Sequence, residues 1–134
     1  MLKNLLKIMD ERELLSIREN LKEKSLKEKL GREQLRKNLL LHVRQTLTAF
    51  FKNYPECNVY LTGSIVRPGL FSPGSDIDIA VENFQGSRLD LFIELSELFD
   101  IPVDLIIMER CHFSENIRNR GEVVCLARNF NVLY

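Results

Sequence analysis

At 134 residues the chain is the size of one domain and long enough to bury a hydrophobic core. No apolar run approaches the roughly 18 residues of a membrane span, which excludes a membrane-embedded helix as the organising element. Its 19 basic and 19 acidic side chains cancel to a formal net charge of zero, so overall charge selects no partner.

Distribution says more than the total. Residues 1–46 hold 12 basic and 7 acidic side chains, and residues 47–134 hold 7 and 12. Interleaved signs in the first segment fit a solvated helix rich in Lys and Glu; a docking face for nucleic acid or an acidic protein is the alternative. Lys3, Lys7, Asp10, Glu11 and Arg12 interrupt the first apolar residues, and no small-residue cleavage site follows, unlike a secretory signal. Cys57, Cys111 and Cys125 are odd in number and form no C-x-x-C pair. That usage fits reduced thiols in a cytoplasmic protein, not a disulfide frame or a zinc site.

In chain order, Leu2, Leu5, Leu6 and Met9 recur at helical spacing. Asp10 with Glu13 reads as a capping box opening a second helix, with Leu14, Ile17 and Leu21 on one stripe. Gly31 either ends that helix or interrupts it. From Arg32 the stripe resumes through Leu35, Leu39, Val43, Leu47, Phe50 and Phe51, and Pro55 closes it. Residues 1–30 are thinner in apolar side chains. They are expected to form a helical extension that packs on a second copy, on a partner, or on one edge of the domain at 31–134.

Asn58–Thr62 reads as a strand, 65–75 as a Gly- and Pro-rich loop with a helical turn just after Ser64, and Ser75–Glu82 as a second strand. Gly86 and Ser87 lead into a helix carrying Leu89, Phe92, Ile93, Leu95, Leu98 and Phe99. Val103–Met108 is a third, nearly all-apolar strand. Phe113–Arg120 is a short helix with Ser114 as cap and Gly121 as stop. Residues 123–126 are apolar without a decisive period. The expected fold is α/β (or α+β): a short mixed sheet of three or more strands, backed by helices at 32–53 and 86–99.

The chemistry gathers at Gly63-Ser64, Asp76-Ile77-Asp78 and Asp104. Two acids two apart on a strand leave the same face, while Ile77 and Ile79 point to the other. Adjacent carboxylates repel unless a cation lies between them, and Mg²⁺ suits one or two carboxylates plus phosphate oxygens. The Gly63-Ser64 turn after a strand offers backbone N–H groups to phosphate. Asp104, alone in an apolar strand, needs an edge, a partner or a metal. If the third strand lies beside the second, three acids converge next to a phosphate cradle, the arrangement of metal-assisted phosphoryl or nucleotidyl transfer. Ser75 reads foremost as a hydroxyl at the start of the strand, and Arg67 as a loop arginine near the expected triphosphate. His42 and His112 have no ligand partners at useful spacing. Tyr54, Tyr60 and Tyr134 carry hydroxyls able to accept a nucleotide in self-modification, with packing the default for Tyr60.

Gly63-Ser64, then Asp76-Ile77-Asp78, then Asp104 resemble the signature of the DNA polymerase beta-like nucleotidyltransferases, over about residues 35–125. The size is similar to the minimal nucleotidyltransferases. The loop from Ser64 to Asp76 is one residue longer than the family's usual spacing, with Pro68 as the apparent insertion. The resemblance implies a nucleotidyltransferase fold and transfer of a nucleoside monophosphate from an NTP with release of pyrophosphate. It implies Mg²⁺, in a two-metal site, held by Asp76, Asp78 and Asp104 as catalytic and metal-binding residues. Gly63, Ser64, Arg67 and Ser75 would bind the nucleotide. Stand-alone members of this size resemble MntA-type antitoxins, which transfer AMP from ATP to a tyrosine of a HEPN-domain toxin ribonuclease. On that reading the partner brings the acceptor hydroxyl, and residues 1–30 are a docking surface or a means of homo-oligomerisation. The alternatives are a nucleotidyltransferase acting on a small molecule or an RNA end, and a catalytically idle module that inhibits a partner by contact.

Overall fold

The computed structural model describes residues 10–128; the helix expected at 2–9 and Tyr134 lie outside the described residues. The first element, α1 (Glu11–Phe50), is a single helix of 40 residues, followed by a 3₁₀ turn at Phe51–Asn53. Asp10 caps it as the capping-box pattern implies, its carboxylate accepting the Glu13 N–H at 2.8 Å. The helix runs through Gly31 without a break, because one glycine costs a long helix only about 1 kcal/mol. Residues 11–32 are exposed apart from a partly covered Leu14, and the first buried position is Arg36.

Three further strands and two helices follow β1 (Asn58–Thr62): β2 (Ile77–Glu82), α2 (Arg88–Leu98), β3 (Val103–Ile107), α3 (Ser114–Arg120) and β4 (Glu122–Cys125). The sheet order is β3-β2-β1-β4. β1 pairs antiparallel with both β2 and β4, whereas β2 and β3 are parallel, so the sheet is mixed as expected. Parallel neighbours need a crossover, and α2 supplies it. Ser87 caps α2 by accepting the Asp90 N–H.

Alternation along the strands separates two cores. Val59 and Leu61 of β1, and Ile77, Ile79 and Val81 of β2, pack with Val43, Leu47 and Phe51 and with Leu91 and Leu95 of α2. The opposite face holds a smaller cluster of Tyr60, Ala80, Met108 and Ile117, covered by α3. Arg44 pairs with Glu122 and Arg118 with Glu82, tying α1 to β4 and α3 to β2. Two local readings change. Ser114 gives α3 no side-chain cap, the preceding Phe113 holding the cap position. The apolar residues at 123–125 belong to a fourth strand, whose pairing with β1 is a long-range contact that four residues cannot announce by period; Leu126 lies just past it. Among the described residues no helix is long and apolar enough to cross a membrane.

Candidate active site

The smaller core covers only part of its face of the sheet. The uncovered end carries acids. Asp78 is the second residue of β2 and Asp104 the second of β3, and the parallel register pairs them directly, Asp78↔Asp104. Side chains of register partners on adjacent strands leave the same face. Asp78 thus stands opposite the face of Ile77 and Ile79, which are completely buried in the main core. On the other side of β2 the antiparallel register sets Asp78 beside Thr62, the residue before Gly63. Asp76 lies one residue ahead of β2, exposed, where the loop arrives; Asp104 is also exposed.

Gly63 opens a 3₁₀ turn, Gly63–Val66, with φ of +78°. A Cβ placed there would lie 2.0 Å from Asp78 Oδ2. Only glycine satisfies both the left-handed backbone and this approach. The turn is therefore pressed against the carboxylate, with Ser64 next in line. Arg67 follows the turn, donating its N–H to the Ser64 carbonyl at 3.1 Å, and is exposed. Ser75 is occupied in the loop itself: its Oγ accepts the Ser72 N–H at 3.0 Å. That bond gives Ser75 a turn-closing role beside any role toward a ligand.

Burial is the first cause that pushes the Asp78 carboxyl above its ordinary value, with the charges of Asp104 and then Asp76 adding to it. Each of these causes disfavours a bare anion and favours a cation at that point. The ion pairs among the described residues are Arg36–Glu33, Arg44–Glu122 and Arg118–Glu82, so none of them neutralises the three acids. Among the described residues no group of three or more His, Cys, Asp or Glu side chains is assembled to hold a metal ion. Mg²⁺ does not require such a cage, since it takes one or two carboxylates and completes its shell with phosphate oxygens and water. The hard oxygen donors and the cation-seeking field at Asp78 fit that ion.

The sequence reading missed Glu33 and Arg36. Arg36 is buried and reaches across to the carbonyl of Ile65 in the Gly63–Val66 turn, while Glu33 accepts the Gly69 N–H beyond it. In sequence they are one more acid and base in a helix full of both. Their three-residue spacing marks an ion pair and does not mark a contact with a loop some thirty residues away.

A short mixed sheet backed by helices, with acids paired across adjacent parallel strands beside a Gly-Ser turn, defines the nucleotidyltransferase class. Comparison with known families agrees. Residues 43–123 match the nucleotidyltransferase domain of the DNA polymerase beta-like superfamily, and the chain belongs to that family. It is thus an enzyme domain for nucleotidyl transfer, and the matched stretch includes Gly63, Ser64, Asp76, Asp78 and Asp104. No curated protein matches the chain significantly.

Proposed function

We propose that the protein is an Mg²⁺-dependent protein adenylyltransferase that transfers AMP from ATP to a tyrosine of a cognate HEPN-domain ribonuclease toxin, and so acts as a cytoplasmic antitoxin. The observation that carries the catalytic part is the Asp78↔Asp104 register beside the Gly63 turn. The partner part is supported by the exposed first half of α1, where Leu15, Ile17, Leu21, Leu26 and Leu30 face solvent. The resemblance to minimal nucleotidyltransferases supplies the identity of that partner.

Asp76 and Asp78 would hold Mg²⁺, with Asp104 available to a second ion. When bound, the metal offsets the charge of the triphosphate and stabilises the charge that develops in the transition state. The Gly63-Ser64 turn receives phosphate oxygens through its backbone N–H groups. The tyrosine oxygen attacks the α-phosphorus, a new P–O bond forms, and the bond to the β-phosphate oxygen breaks with pyrophosphate leaving. Asp104 orients the attacking hydroxyl and accepts its proton. Grouping these roles on one sheet edge holds nucleophile and phosphorus in a fixed relation, which removes much of the entropic barrier.

The test is incubation with radiolabelled ATP, Mg²⁺ and a neighbouring-gene HEPN protein, read as label and as an AMP mass increment on one of its tyrosines. Converting both Asp76 and Asp78 to Asn should lower transfer by about 10²-fold or more. A double variant that labels the partner at the parent rate would end the catalytic reading. Labelling of RNA or a small molecule with no mark on the partner would end the protein-acceptor reading.

A further inference from the structure

Arg36 is the one buried charged residue among the described residues, at 5% exposure. Its Nε donates to both Glu33 carboxylate oxygens at 3.1 Å, and Nη2 donates to Oε1 at 2.6 Å. Nη1 donates to the Ile65 carbonyl at 2.9 Å. The Glu33 carboxylate completes the set by accepting the Gly69 N–H at 3.0 Å. One helical turn of α1 therefore grips the chain at two points, Ile65 and Gly69, on either side of Arg67.

Burying a guanidinium to satisfy a single carbonyl is an expensive solution, because a neutral donor or a water would do the same at lower desolvation cost. What the charged pair adds is rigidity: a planar fork locked on a carboxylate has little freedom left, and both partners are then aimed at backbone groups. Fixing the Ile65 carbonyl also fixes the plane of the peptide that follows it. The gripped segment begins two residues after Gly63, where the turn meets Asp78. All three guanidinium nitrogens of Arg36 are engaged with Glu33 and Ile65 and the side chain is buried, which makes it a positioning residue and not a ligand.

We propose that Glu33 and Arg36 form a clamp that positions the Gly63-Ser64 turn and the Arg67 segment to receive the triphosphate of the NTP. The proposal rests on the reading of that turn as the phosphate cradle. The carboxyl of Glu33 is held down at about 2, first by the bond from Arg36 and then by the Gly69 N–H, so the clamp is fully charged across the working range of pH. Arg36 is correspondingly raised, by its bond to Glu33 first.

The experiment measures KM and kcat for ATP, and the Kd of a non-cleavable ATP analogue with Mg²⁺, for the parent protein and for Glu33→Ala, Glu33→Gln and Arg36→Met. A clamp acting on ground-state binding raises KM and analogue Kd about tenfold in Glu33→Ala while kcat stays within about threefold. Glu33→Gln, which retains an acceptor for Gly69, falls between the two. Arg36→Met should move in the same direction; because burial puts its folding at risk, the partly exposed Glu33 variants decide the matter. Glu33→Ala with parent KM and parent Kd overturns the clamp while the cradle reading stands. A parent protein that binds no analogue and transfers nothing overturns the cradle reading and the clamp with it.

Discussion

Gly63 shows how a single position joins backbone and chemistry. Its φ of +78° and the 2.0 Å that would separate an added Cβ from Asp78 Oδ2 are independent constraints. Gly63→Ala should lose about 1–2 kcal/mol from the left-handed backbone alone, and the displaced carboxylate should lower transfer further. Urea denaturation and the labelling assay check this together, and parent values in both would refute it. Two carboxyls respond to pH with opposite sign. Glu33 is lowered from 4.5 to about 2, so its contribution to stability is full above 4.5 and is lost as pH falls through about 2. The stability gap between the parent and Glu33→Gln should accordingly be constant above pH 5 and close toward pH 2. Asp78 is raised by burial first and by Asp104 and Asp76 next. Its ionised form therefore weakens the fold at neutral pH; that penalty fades as pH falls through the raised folded-state value and is gone once pH is below the unfolded value of 3.8. In metal-free buffer Asp78→Asn should raise the denaturation midpoint at pH 7, while in the presence of Mg²⁺ it should lower transfer. A midpoint that falls would show that the carboxylate is structural.

Among the elements, α1 has two lives. After Arg36 one face of it joins the core, with Val43 and Leu47 completely buried; from Glu11 to Arg32 nearly every side chain meets solvent. Removal of residues 1–30 should leave the thermal unfolding temperature of the sheet domain within a few degrees of the parent, because the described part of that segment buries almost nothing. Cooperative unfolding of the truncated chain at room temperature would place the segment in the core. Gly31 sits mid-helix with no atom within 4 Å of an added Cβ. Gly31→Ala should stabilise α1 by about 0.5–1 kcal/mol, visible as greater helicity on heating. These elements were legible to different degrees for physical reasons. Asp10 and Glu13 announced the start of α1 because capping is local. The period of two in Ile77–Val81 announced β2, and Asp104 stood out against an apolar strand. β4 was not legible, since Val123 and Val124 become a strand only by pairing with β1. Nor was the Glu33–Arg36 grip, because a charged pair in a Lys- and Glu-rich helix looks solvated until the loop is folded against it.

At the scale of the whole molecule, the sheet divides its labour by face. The main core gathers on one side with α1 and α2, and the other side is half covered by α3, leaving its remaining end to the acids. Alternation along β2 alone commits Ile77 and Ile79 to one side and Asp78 to the other, which is the part of the candidate site that three short segments make legible. A helix of 40 residues is about 60 Å long, whereas a compact chain of this length has a radius of gyration of about 14 Å. The same unbroken rod carries Glu33 and Arg36 near the point where it enters the body. In geometry it is a lever arm whose gripped end lies at Ile65 and Gly69, beside the loop proposed to receive the nucleotide.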